Sequence, residues 1–246
     1  MLLSKSWIDK HIDELTPWQQ SAYTDFSDMI CDEQHPYPCV PGKQGFQRDM
    51  LRFGFADDPR TPGSIEQLAV LLKEYGEISR DTGNYASLVV FFQSDGLEGV
   101  GINHFHDMFW SVLNKVHDLD ETPWPEGIAE DPHHHSWEFC FDGEPYFAFC
   151  ATPAHSIRKS RHFPYFMIAF QPRWVFDEIN SSTAFGQKLK KVIRKRLVEY
   201  DEIDVHPSLK WYGQEDNHEW QQYFLSDDDS SLSKCPFMNR QKRIKS

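Results

Sequence analysis

A chain of 246 residues lies near the upper end of single-domain size, long enough to bury a large core without disulfides or a structural metal. Its 38 Asp and Glu against 25 Lys and Arg give a formal charge of −13, a field that repels phosphate backbones and disfavours nucleic acid as a partner. The longest apolar runs, 86–92 and 163–170, are too short to cross a bilayer, and residues 1–15 lack the apolar region of a signal peptide. No membrane association is expected. Five cysteines without a Cys-x-x-Cys spacing indicate neither a disulfide framework nor a zinc ribbon, so a cytoplasmic protein is expected.

Pro17 behind Thr16, with Trp18, Ala22, Phe26 and Met29 at helical spacing, predicts a helix over 17–30. Three prolines between Pro36 and Pro41 then make 35–42 an ordered turn or an extended edge, because proline lacks the N–H that helix interiors and central strands need. A short strand is predicted over 51–56. Ser64 and Gln67 read as a capping box opening a helix that stops near Gly83. The continuous apolar run 86–93, rich in Val and Phe, reads as a buried central strand. Asn103 is placed as the cap of the next helix, whose core stripe is Phe105, Phe109, Val112, Leu113 and Val116.

Asp142-Gly143 between alternating runs specifies a two-residue β-hairpin. Its register sets Phe141 opposite Glu144, Phe139 opposite Tyr146 and Trp137 opposite Ala148, with Glu138, Cys140 and Phe147 on the other face. A strand over 165–171 and a helix over about 183–200 complete the pattern. The result is a single α+β domain over 1–246, with a largely antiparallel or mixed β-sheet, a central β-hairpin and several flanking helices. A disordered tail is expected from about 238 to 246, and the Asp227-Asp228-Asp229 run reads as solvated loop.

No dinucleotide fingerprint, Walker loop, His-Glu-x-x-His or Gly-x-Ser-x-Gly is present. His133-His134-His135 reads as a surface loop, because adjacent side chains diverge, and His104-x-His106 in a first helical turn is a poor ligand pair. On the 183–200 helix most basic residues form a solvent face opposite Leu189, Val192, Ile193 and Leu197. Arg196 falls beside that apolar stripe, so it is expected to be buried against a carboxylate of the protein or of a ligand. A second basic cluster, from Thr152 through His155, Arg158 and Arg161 to His162, leaves a strand end, where sites commonly form. A histidine among cations beside an aromatic sheet suits a macrocycle with an iron centre and two carboxylates, and equally an ordinary basic loop.

Taken in order, His35-Pro-Tyr-Pro-Cys-Val, Leu51-Arg-Phe-Gly-Phe, Trp137-Glu-Phe-Cys-Phe-Asp-Gly-Glu-Pro, Thr152-Pro-Ala-His155 with Arg158 and Arg161, Gln171-Pro-Arg173, Ile193-Arg-Lys-Arg196, His206-Pro and Glu219-Trp-x-x-Tyr-Phe resemble the YqcI/YcgG family over essentially the whole chain. Some members are haem-dependent N-oxygenases acting on a guanidino nitrogen of arginine or an arginine-like amino acid. The resemblance therefore implies a haem b oxygenase with a small guanidino substrate and an external reductase. Within it, His155 and His206 are candidate iron ligands because they sit in matching motifs, while Cys39 is an alternative whose proline-flanked setting turn structure explains as well. Arg158, Arg161, Arg173 and Arg196 are candidates to pair with the propionates, and Glu138 or Glu144 to receive a guanidinium. The competing expectations are a haem or small-ligand binding protein without turnover, acting as sensor or carrier, and a non-haem metal or ligand-free protein whose histidines are mostly structural.

Overall fold

Residues 1–177, 183–211 and 214–238 are described by a computed structural model, in which six strands form one sheet. These are β1 (Leu3–Ser4), β2 (Leu51–Ala56), β3 (Ser87–Phe92), β4 (Phe139–Phe141), β5 (Glu144–Ala151) and β6 (Phe166–Pro172), in the spatial order β1-β2-β3-β6-β5-β4. The helices are α1 (Lys5–His11), α2 (Pro17–Cys31), α3 (Val40–Gln47), α4 (Pro62–Thr82), α5 (Ile102–Asp118), the short α6 (Trp174–Asp177) and α7 (Ala184–Asp201). Strands β2 and β3 are parallel, with α4 as the crossover, and the other neighbouring pairs are antiparallel. The fold is thus α+β with a mixed sheet. Among the described residues no helix is long and apolar enough to cross a membrane.

The run at 86–93 is continuous because β3 is covered on both faces. Leu88, Val90 and Phe92 join a core with α4, α5 and alternate residues of β5 and β6, whereas Val89 and Phe91 join a second core with α2, α3 and Phe163. Strand β5 divides likewise. Its Tyr146, Ala148 and Cys150 enter the first core, while Phe149 packs against the second.

The hairpin turn has the predicted register, Phe141 opposite Glu144 and Phe139 opposite Tyr146. Asp142 and Gly143 both take positive φ, +50° and +76°, as a primed two-residue turn requires. The expected pairing of Trp137 with Ala148 does not form, because β4 begins only at Phe139. The side chain of Tyr223 fills the gap. Its hydroxyl donates to the Tyr146 carbonyl at 2.9 Å and accepts from the Phe139 amide at 3.2 Å, while its own carbonyl accepts from Cys150 N at 2.9 Å.

Several boundaries depart from the sequence expectation. Pro41 lies inside α3, not in a turn, since at the second helical position its missing N–H would have no intrahelical partner anyway. Helix α4 starts two residues before Ser64, capped by Thr61 with Pro62 behind it, and the Gln67 side chain bonds Asp57 instead of completing a capping box. Helix α5 begins at Ile102 after Gly101, so Asn103 is not its cap. Strand β1 and helix α1 were not anticipated. Of the expected tail, 239–246 lies outside the described residues.

Helix α7 departs most. Its apolar stripe was expected to be core, yet Leu189, Ile193 and Leu197 are only half-buried, Val192 is 38% exposed, and only Gly186 and Asp201 are fully buried. A crevice separates the helix from the body of the protein.

Candidate functional site

The loop that leaves β5 folds back on itself through Thr152 N to Arg161 O at 3.0 Å and Phe163 N to Thr152 O at 3.2 Å. This closure turns His155, Arg158 and Arg161 inward, against the segment 222–230. His155 is 1% exposed. Its Nε2–H donates to the Leu225 carbonyl at 2.9 Å and its Nδ1 accepts from the Thr152 hydroxyl at 2.8 Å, the assignment that satisfies both partners. Burial pushes its pKa down to about 4, which keeps the ring neutral.

Arg158 is a three-way tie: Nε donates to Ser226 O at 3.0 Å, Nη1 to Asp204 O at 3.2 Å and Nη2 to Asp229 Oδ1 at 2.8 Å. Arg161 donates to the carbonyls of Tyr223, Gln222 and Cys150 at 3.1, 3.0 and 3.4 Å, and its guanidinium lies 4.1 Å over the Phe149 ring. Burial pushes its pKa down to about 10, still far above neutrality. The Asp227-Asp228-Asp229 run is therefore no mere solvated loop. Asp227 accepts from Ser156 N at 2.9 Å and Arg158 N at 3.0 Å, and Asp229 pairs with the buried Arg158.

His206 joins the same knot. Buried to 1% exposure, it accepts from Ser208 N at Nδ1, 3.1 Å, and its Nε2 faces Ser230 O at 3.3 Å. Its pKa is lowered by burial and then by Arg158. Thus four of the nominated residues, His155, Arg158, Arg161 and His206, lie together, and the others do not. Glu138, 2% exposed, pairs with Arg173 at 2.9 Å. Glu144, on the opposite face of the hairpin by strand alternation, pairs with Arg80 at 3.6 Å. Burial raises the Glu144 pKa, against the pull of Arg80. Arg196 is half-exposed and, among the described residues, makes no ion pair, so the expected burial against a carboxylate is not found. Its position on α7 is the edge of the stripe, where a long side chain reaches solvent.

An iron porphyrin needs an axial donor with a free lone pair and cations free to meet its carboxylates. The nominated residues do not fit one as arranged: the Nε2 atoms of His155 and His206 face carbonyls, and Arg158 and Arg161 are each engaged by three protein oxygens. Among the described residues no three His, Cys, Asp or Glu side chains converge as metal ligands. The His133 triplet is a loop, and His106 accepts at Nε2 from Trp110 Nε1 at 3.1 Å. His155 does border a hollow of about 600 Å³ with Asp25 and Asp28. The basic side chains beside it are already engaged, Lys159 by Glu202 at 2.7 Å and the His162 ring by the His155 carbonyl at 2.8 Å.

The crevice under α7 is chemically richer. It encloses about 240 Å³ between Leu189, Ile193 and Leu197 of α7, Phe147 of β5, and the segment that carries Leu209, Trp211, Glu219 and Gln222. A second hollow of about 150 Å³ shares Ile193, Leu197 and Leu209 with it and is closed by Tyr37, Cys39, Phe149 and Arg161. Apolar walls with a few placed polar groups are what small-molecule sites have in common. The Cys39 thiol accepts from Gly42 N at 3.3 Å, and burial raises its pKa against that bond and against Arg161.

Glu219 is 3% exposed, and its carboxylate accepts from Asn217 Nδ2 at 2.6 Å and Gln222 Nε2 at 3.2 Å. Lys190 carries its ammonium 3.7 Å from the centre of the Trp211 ring. Neither Lys190 nor Glu219 was nominated from the sequence. The available signal was Lys190 at i, i+3, i+7 spacing with Ile193 and Leu197, on the inner stripe of α7.

Against known proteins, the model of the YqcI/YcgG family matches residues 26–238. The chain is 52% identical over 238 residues to the uncharacterized protein YcgG of Bacillus subtilis (strain 168), covering 96% of this chain and 94% of that one. It is 49% identical over 246 residues to YqcI of the same organism, covering 99% and 97%. A Streptomyces lavendulae protein named "Putative N(omega)-hydroxy-L-arginine synthase DcsA" is 32% identical over 234 residues, covering 93% and 87%. No solved structure matches. With a family match across most of its length and relatives aligned nearly end to end, the chain belongs to the YqcI/YcgG family.

Proposed function

We propose that this protein is an oxidoreductase that hydroxylates a guanidino nitrogen of arginine or a related small molecule. The observation that carries the reading is the 32% identity, over 93% of the chain, to a protein named for Nω-hydroxy-arginine synthesis. The α7 crevice supports it: an apolar space of about 240 Å³ with a buried carboxylate, Glu219, on its wall suits one small cationic molecule.

In such a reaction one atom of dioxygen enters an N–H bond to give N–OH and the other leaves as water, with two electrons and two protons from an external reductase. Haem b belongs to the proposal as the group that would activate dioxygen, although neither nominated histidine holds it in this arrangement. What the chain's own residues contribute is a shaped site. Phe147, Ile193 and Leu197 supply apolar walls, and a carboxylate fixed by two amides orients a guanidinium without having to reorganise.

The test is expression of the full chain with ample iron and haem precursor, an absorption spectrum, and an NADPH-coupled reductase assay with arginine and other guanidines. A hydroxyguanidine product is expected. A protein that yields none with any reductant, whatever pigment it carries, contradicts the reading and leaves a binding protein.

A further inference from the structure

Lys190 is the least satisfied cation described in the molecule. Its Nζ is buried and has no hydrogen-bond partner, and it rests on the face of Trp211. An ammonium has three donors, and burying them unmet costs free energy that the cation–π contact offsets only in part. Burial, then neighbouring Arg194, push its pKa down to about 8, against the pull of Glu219. At neutral pH the group is therefore still mainly charged.

Glu219 differs in its support. Asn217 and Gln222, 1% and 7% exposed, hold its two oxygens separately, and Asn217 is itself anchored through Trp211 O at 3.0 Å while Gln222 Nε2 also donates to Asn217 Oδ1 at 3.1 Å. The network fixes the carboxylate on the crevice wall. No ion pair joins it to Lys190. Both groups line the same cavity, so one small volume presents a cation and an anion held apart, with Ile193, Leu197 and Leu209 beside them.

We propose that the α7 crevice binds a small zwitterion with a carboxylate at one end and a guanidinium at the other, its carboxylate on Lys190, its guanidinium on Glu219 and its aliphatic stem along Ile193, Leu197 and Leu209. This rests on the guanidino substrate proposed above and adds the residues that read its two ends. A ligand carboxylate supplies the acceptor that Lys190 lacks, and a guanidinium makes charge-assisted bonds to a carboxylate already oriented for them. Filling the crevice also buries the half-exposed stripe of α7, so the helix closes on its ligand.

Calorimetry with the full chain tests this, using arginine, agmatine, which lacks the carboxylate, and citrulline, which lacks the cation. Wild type is expected to bind arginine about tenfold or more tightly than either analogue. Lys190→Met should weaken arginine about tenfold and leave agmatine unchanged, and Glu219→Gln should abolish the preference for arginine over citrulline. Circular dichroism of each variant checks folding, and Lys190→Arg, which keeps the charge, should retain most of the carboxylate preference.

Arginine turnover with binding and KM unchanged in Lys190→Met would overturn this site while leaving the proposed function standing. Lys190-dependent arginine binding with no hydroxylated product would do the reverse. A folded wild type with no arginine binding at millimolar concentration, or one that binds simple monocarboxylates as tightly, overturns the zwitterion site outright.

Discussion

The His155 Nε2–H and the Leu225 carbonyl are joined at 2.9 Å, a bond that locks the loop after β5 to the C-terminal segment. Burial, against the pull of that bond, holds the imidazole neutral, with a pH consequence. The folded-state pKa is about 4 against an ordinary 6.5, so the unfolded chain binds the extra proton first. The stabilisation is complete above about 6.5 and is lost as pH falls towards about 4, a difference on the order of 3 kcal/mol. Urea midpoints followed across that window should fall in wild type, and the fall should be smaller in His155→Gln. Identical pH slopes in the two proteins would show that His155 is not held neutral.

Arg161 acts through carbonyls. Its guanidinium donates to Cys150, Tyr223 and Gln222 from inside the core, so Arg161→Met leaves buried oxygens without donors. A loss of about 2–4 kcal/mol is expected in denaturant unfolding, and Arg161→Lys should recover little because an ammonium cannot reproduce the planar fork. Recovery of near wild-type stability in the lysine variant would contradict this role.

At the hairpin, Gly143 sits at φ +76°, where a β-branched side chain is strained. Gly143→Val should lower stability by about 1–2 kcal/mol, and Gly143→Asn by clearly less. Equal losses in thermal unfolding would mean that the turn relaxes into another type.

Arg173 holds the Glu138 carboxylate at 2.9 Å, and Glu138 is 2% exposed. Arg173→Met removes that guanidinium, and about 3 kcal/mol of destabilisation is expected because a buried carboxylate loses its countercharge. The double variant Arg173→Met with Glu138→Met should be the more stable of the two. If it is less stable in urea, the pair contributes net stability beyond compensating its own burial.

The sequence was most informative where a local rule had one solution. Asp142-Gly143 between alternating aromatic residues left only a primed hairpin, and the run at 86–93 left only a doubly covered strand. Caps were less legible, because Thr61-Pro62 and Ser64-Gln67 offer competing starts and tertiary bonds from Asp57 decided between them. The basic loop was legible as a cluster but not in its role: apart from the Cys150 carbonyl, the oxygens that engage Arg158 and Arg161 belong to 204 and 222–229, far along the chain. For the same reason the α7 crevice was hidden. Its walls come from β5, α7 and the segment through Glu219, and no periodicity relates them. Arg196 stands out by its phase on α7, whereas Lys190, equally out of place among apolar neighbours, lies in a run of lysines that reads as a solvent face.

The central claim, oxygenation of a guanidino nitrogen, is tested most directly by running the reductase-coupled reaction on arginine under isotopically labelled dioxygen and analysing the product by mass spectrometry. The account predicts Nω-hydroxy-arginine carrying one labelled oxygen atom, formed by wild type and with a raised KM by Lys190→Met. Recovery of unmodified arginine alone, or of product whose oxygen comes from water, would contradict it.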